Sequence, residues 1–175
     1  VTSALKKSGK QVLRVKVQDA TDNSFQPRGK QCIINAGIWY TPVTGIWQTV
    51  WMEPVTPSYV RNYYAVSDID KGEIAFDVDA SPAAGDVVKV ALLEGGEGYS
   101  AENPSQTVLA EAVVENGKAI VKVDDVKTWS PDSPYLYGVK VWVERNGKVV
   151  DSVNGYTAMR KISIKQDSTI NKYNR

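Results

Sequence analysis

The stretch Ile38 to Val55, IWYTPVTGIWQTVWMEPV, holds Trp39, Trp47 and Trp51, three of the chain's five tryptophans, together with Tyr40. Flat aromatic faces suit the apolar faces of pyranose rings, so the cluster could stack sugars; the same side chains could instead wall a core. Trp47 and Trp51 stand at even spacing, on one face of an extended strand, which predicts packing for this pair. Trp39 and Tyr40 precede Pro42 in a turn-rich stretch and are candidate sugar contacts, with packing as the alternative. Upstream, Arg28 and Lys30 in QPRGKQ could pair with a carboxylated sugar or stand as solvated loop charges. Asp19, at the end of VLRVKVQD, is placed to close an Asx turn.

Several other chemistries are excluded or disfavoured. The 175 residues contain no histidine, which removes the commonest general base, the commonest zinc ligand and any Ser-His-Asp or Cys-His arrangement. Glu94, Glu97 and Glu102 in LLEGGEGYSAEN lack the regular spacing of a calcium loop, so no metal site is expected there and a mobile hairpin tip is. No catalytic residue, cofactor or metal is assigned. Cys32, the single cysteine, excludes an internal disulfide and reads as a small buried apolar residue. Lys and Arg number 21 against 20 Asp and Glu, without a basic block, so neither nucleic acid nor an anionic membrane is an expected partner. No apolar run approaches the roughly 18 residues of a membrane span. The N-terminal VTSALKKSGK lacks the apolar stretch of a signal peptide, and Val1 reads as an internal boundary.

The elements that must position these residues read as all β. No window carries a sustained helical stripe, whereas β-branched and alternating segments recur between turn signals. Strands are expected at about 11–17, 47–53, 59–66, 73–80, 87–93, 107–114, 119–123, 135–143 and 149–164, the last bent or bulged. Asn116-Gly117 and Asn146-Gly147 predict tight hairpins, because a type I′ turn needs positive φ at both central positions. Ile74, Phe76 and Val78 alternate with Glu73, Asp77 and Asp79, while Tyr137, Val139, Val141 and Val143 oppose Lys140. Seven such strands after Ser58 match an immunoglobulin-like sandwich. Pro54 and Pro57 suit a short stiff connection, so a division is expected near Val55.

Three motifs carry a family resemblance over nearly the whole chain. TGIWQTVWMEPV resembles the closing strand of a sugar-binding jelly roll, WSPDSPYLYGVKVWV a Trp-Ser-Pro-x-x-Pro-x-Leu-Tyr segment, and DSVNGYTAMRKISI the last strand of an immunoglobulin-like domain. Together they resemble the non-catalytic part of glycoside hydrolase family 2, the group of β-galactosidases, β-glucuronidases and β-mannosidases. One departure is Tyr156-Thr157-Ala158-Met159-Arg160 where the family often has Tyr-Phe-Gly-x-Arg.

The resemblance implies that residues 1–54 are the final part of the jelly roll, 55–165 a complete immunoglobulin-like β-sandwich, and 166–175 a linker toward a catalytic barrel. It implies retaining hydrolysis of terminal β-glycosidic bonds by that barrel, whose catalytic glutamates have no counterpart here. Asp19 matches a jelly-roll aspartate that contacts a sugar hydroxyl in some members, so Asp19, Trp39 and Tyr40 are candidate substrate contacts in the intact enzyme only. Arg160 would bridge to the barrel or pair with a cross-strand carboxylate, and Trp129 would plug one end of the sandwich. The partners implied are carbohydrate through the intact enzyme, the barrel itself, and a second copy where open edges self-associate. A stand-alone carbohydrate-binding module and a generic adhesion or scaffold sandwich are the alternatives. The compartment stays open, periplasmic or secreted being favoured only for a polysaccharide-degrading bacterium.

Overall fold

The computed structural model describes residues 1–166 and 173–174, which form two compact units, Val1–Glu53 and Pro54–Arg175. The second unit is a β-sandwich, and among the described residues the chain has no α-helix. Its strands are β1 (Tyr59–Asp68), β2 (Glu73–Ser81), β3 (Val87–Gly96), β4 (Val108–Val113), β5 (Lys118–Lys122), β6 (Leu136–Arg145) and β7 (Lys148–Thr157). All ladders are antiparallel: one sheet has the order β1-β2-β5, the other β4-β3-β6-β7.

Alternation of side chains decides which faces meet. Ile74, Phe76 and Val78 of β2 point inward with Val121 of β5; Val88, Val90 and Leu92 of β3 oppose them with Tyr137, Val139, Val141 and Val143 of β6. These side chains form one continuous apolar layer between the sheets, the arrangement expected when each strand has period two and one buried face. Removing Ile74 down to alanine at such a fully buried position costs about 2–5 kcal/mol, so the row is intolerant of truncation.

Turn chemistry fixes the register. Asn116 and Gly117 have φ of 51° and 78°, and Asn146 and Gly147 have 49° and 75°, the positive pair that the expected hairpins require. The expected strand 149–164 ends earlier, at Thr157. Beyond it the buried Met159 forms a parallel bridge with Thr128, its carbonyl accepting from Trp129 N at 2.8 Å. Residues 166–175, expected to be a linker, lie mostly outside the described residues; described near this end is the pair β8 (Lys165–Gln166) and β9 (Tyr173–Asn174).

Two polar clusters close the unit. The Tyr137 hydroxyl, at the end of a buried ring, accepts from Lys127 N at 2.6 Å and donates to the Asp125 carbonyl at 3.4 Å, tying the β5–β6 connection to the core. At the other end Arg145 forks onto Asp86, Nε to Oδ1 at 2.7 Å and Nη2 to Oδ2 at 2.9 Å, and also donates to Ser58 Oγ at 2.9 Å. The Asp86 side chain is 0% exposed, so the bidentate pair satisfies a carboxylate that water cannot reach.

Val1–Glu53 is built differently. Its regular structure is a single 3-10 turn, Thr2–Ala4, and one parallel bridge between Gln31 and Tyr40. The strands expected at 11–17 and 47–53 carry no ladder, because neither finds a partner strand to receive its backbone groups. With no strand alongside, Trp47 and Trp51, expected to pack, are instead 88% and 76% exposed.

Two outcomes follow for the sandwich. Tyr137→Phe, which keeps the ring and deletes both bonds of the hydroxyl, should lower stability by about 1–3 kcal/mol in urea titration, since Lys127 N and the Asp125 carbonyl lose their partner. Arg145, first, and Ser58 hold the Asp86 carboxyl well below the usual carboxylate range. A depressed folded-state pKa contributes stability that is complete above the unfolded value and is lost as pH falls through the folded one. The urea midpoint of the wild type should therefore fall toward that of Asp86→Asn between about pH 5 and about pH 2; a gap unchanged over that window would refute the coupling.

Candidate functional site

The candidate sugar contacts Asp19, Trp39 and Tyr40 all lie in Val1–Glu53. Asp19 Oδ1 accepts from Thr21 N at 2.7 Å, closing the Asx turn its position suggests, and also from Gln26 Nε2. The second carboxylate oxygen accepts from Thr44 Oγ1 at 3.4 Å, which ties the 19–26 turn to the segment before Ile46. Around this carboxylate lies a cavity of about 240 Å³ lined by Val17, Asp19, Gln26, Arg28, Gln31 and Gly45.

Arg28 links the cavity to the aromatic candidates. Its guanidinium lies 5.7 Å from the centre of the Trp39 ring and 3.5 Å from Asp22, whose carboxylate also accepts from Ile33 N at 3.3 Å. A planar guanidinium over an indole holds both groups in register, at a strength of about 0.5–1 kcal/mol at an exposed site. Tyr40 is placed through its backbone: Tyr40 N donates to the Lys30 carbonyl at 2.8 Å, and Cys32 N to the Tyr40 carbonyl at 3.2 Å. Its ring is exposed, while Cys32 is buried as its small apolar character predicts. Lys30 therefore contributes its carbonyl to this arrangement.

A second cleft of about 430 Å³, lined by Gln31, Val43, Thr44, Gly45, Ile46 and Trp47, shares Gln31 and Gly45 with the first. Gln31 Oε1 accepts from Val43 N at 2.6 Å and so fixes the wall between them. Sequence reasoning singled out Asp19, Arg28, Trp39 and Tyr40 but passed over Gln26, Gln31 and Thr44, whose only signal was amide and hydroxyl chemistry within a long loop. A carboxylate, a guanidinium, two amides and nearby aromatic faces form a set able to read the hydroxyls and apolar faces of a polyol.

The remaining candidates are structural in placement. Arg160 stacks on Trp129 with its guanidinium 4.9 Å from the ring centre. Asp77, Glu73 and Asp79 are engaged by Lys118, Lys122 and Arg61 across neighbouring strands. Among the described residues no three His, Cys, Asp or Glu side chains converge as a metal site would require.

Comparison with known proteins places the sandwich. Residues 58–160 match the family Glycosyl hydrolases family 2. The β-galactosidase of Thermoanaerobacter pseudethanolicus is 25% identical over 127 residues, covering 70% of this chain and 17% of that protein. The chain thus spans about one sixth of the length of the curated relative it matches. Solved structures of the Ruminococcus gnavus β-glucuronidase, in its apo form and in complex with D-glucuronic acid, align with a TM-score of 0.48 at 19% identity over 62% of this chain and 17% of theirs. With a family match that takes in all seven strands of the sandwich, from Ser58 to Arg160, the chain belongs to glycosyl hydrolase family 2.

Proposed function

We propose that the chain is the non-catalytic part of a retaining glycoside hydrolase of the β-galactosidase kind, which hydrolyses terminal β-glycosidic bonds in carbohydrate metabolism. The sandwich buttresses a catalytic barrel in the same polypeptide, and residues 1–54 complete a sugar-binding jelly roll. The observation that carries this reading is the family match over a unit whose core between the sheets is apolar and in which Glu73, Asp77, Asp79 and Asp86 are each held by a lysine or arginine. Retaining hydrolysis needs two carboxyl groups about 5 Å apart across the scissile bond, one of them free to give up a proton. Carboxylates already held in ion pairs on sheet faces are unsuited to that work.

Asp19, Trp39 and Tyr40 then act as substrate contacts only in the assembled enzyme, Asp19 accepting from a sugar hydroxyl while Gln26 and Arg28 hold its surroundings in shape. The exposed Trp47 and Trp51 are surfaces that the rest of the jelly roll would cover. A second reading, a carbohydrate-binding module acting by itself, draws on the same Asp19 cavity and the Arg28–Trp39 pair.

Purified chain should release no nitrophenol above the buffer blank from aryl β-galactosides or β-glucuronides. Turnover that survives repurification would sink the non-catalytic reading. Calorimetry with methyl β-galactoside and methyl β-glucuronide separates the two readings: the ancillary role predicts no binding at about 1 mM or tighter, whereas binding abolished by Trp39→Ala would establish the module. Light scattering should show association that grows with concentration and weakens in Trp47→Ser/Trp51→Ser, as expected of uncovered apolar surface; a monomer throughout would count against a covered role for these rings.

A further inference from the structure

The seam where β1 runs beside β7 carries a feature that neither the family match nor the Asp19 cavity uses. An open cleft of about 510 Å³ lies there, lined chiefly by Asn62, Tyr63, Tyr64, Asn154, Gly155 and Tyr156, with Ala101 reaching it from the β3–β4 connection. None of its lining residues is charged, in a chain of which 23% of residues are. Tyr64 and Tyr156 are 68% and 60% exposed, large aromatic faces presented to water from two different sheets.

The floor of the cleft is formed by a close approach of side chain to backbone. A β carbon on Gly155 would lie 1.9 Å from the Tyr63 hydroxyl, so only glycine lets the Tyr63 ring run beneath the seam. Tyr63 is in turn packed on the core and tilted against Phe76 at 6.4 Å between ring centres. On the neighbouring strand, Tyr99 lies against Gly138, where a β carbon would meet its ring at 2.6 Å, and this contact brings the β3–β4 connection toward the cleft. Asn62 Oδ1 accepts from Tyr63 N at 2.9 Å, which orients its amide.

We propose that this seam is a binding groove for a neutral oligosaccharide, with Tyr64 and Tyr156 stacking on pyranose faces and Asn62 and Asn154 reading hydroxyls. The argument is one of chemical fit. Aromatic rings offer apolar area with little conformational entropy to lose, and each amide supplies both donors and an acceptor, as a polyol demands. An anionic glycan or a polypeptide with charged side chains would find no counter-charge in the groove, whereas an uncharged sugar needs none. The inference stands apart from the proposed ancillary role, since it concerns different residues in the other unit.

The test is calorimetry on the full chain with cellohexaose and xylohexaose as neutral probes and hexagalacturonic acid as the charged one. At least one neutral probe should bind with Kd of about 1 mM. Tyr64→Ala and Tyr156→Ala should each weaken it about tenfold, and Tyr156→Phe should retain it. Near-UV circular dichroism and urea midpoints establish that the variants, both at exposed positions, remain folded. Asn154→Asp, which introduces a charge without removing a ring, supplies an independent variant and should also weaken binding. Absence of binding to both neutral probes, binding indifferent to the tyrosines, or equal binding of hexagalacturonic acid would overturn the groove. Binding lost in Trp39→Ala but kept in the tyrosine variants would overturn it too, while assigning sugar recognition to the Asp19 cavity.

Discussion

The inward row of β6, Tyr137, Val139, Val141 and Val143, is the constraint on which the rest of the sandwich depends. Each of these side chains is essentially buried, and β6 is hydrogen-bonded on both edges, to β3 and to β7. A strand paired on both sides and covered on its inner face cannot slip by one residue without turning four large side chains into water. The register of β3 and β7 therefore follows from β6, and the opposing sheet is placed by the need of Ile74, Phe76 and Val121 to cover the same row. Tyr137 extends the constraint beyond the strand, because its hydroxyl holds Lys127 and Asp125 at the crossing between the sheets.

Charge plays the complementary part at the edges. Asp86 receives two bonds from Arg145 and one from Ala83 N, and Ser58 joins the same group, so the first buried residue of the sandwich is tied to the β2–β3 turn and the end of β6. Asp151 adds a second tie, its carboxylate accepting from Val60 N at 2.8 Å and joining β7 to β1. Val60 lies where the β1–β2 register shifts, so this carboxylate supplies an acceptor at a point of ladder irregularity. The polar groups thus act where strands start and cross, and the apolar rows act between them.

This division of labour explains what could be read in the sequence. Alternation and Asn-Gly turns are local, and the inward rows of β2 and β6 and both tight hairpins were legible from a few residues each. The exposure of Trp47 and Trp51 was not, because even spacing says that two rings share a face and nothing about whether another strand lies against it. The stack of Arg160 was not legible for the same reason: the Trp129 ring comes from a segment distant in sequence, brought close by the Met159–Thr128 bridge. Of the candidate site, Asp19 announced its Asx turn, but its second oxygen meets Thr44 only through the fold of the intervening loop.

Close approach of backbone to ring is the hardest of these relations to foresee, and it bears most on binding. Gly155 looks like any glycine in a strand until Tyr63 is seen to occupy the space of its β carbon. Here the absence of a side chain at Gly155 lets one tyrosine sink below the surface, while Tyr64 and Tyr156 stand above it, so the relief of the seam is set by one missing carbon. The family match specifies a sandwich but not the relief of its seams, and it is at such seams, outside the rows that stability requires, that recognition can vary without cost to the core.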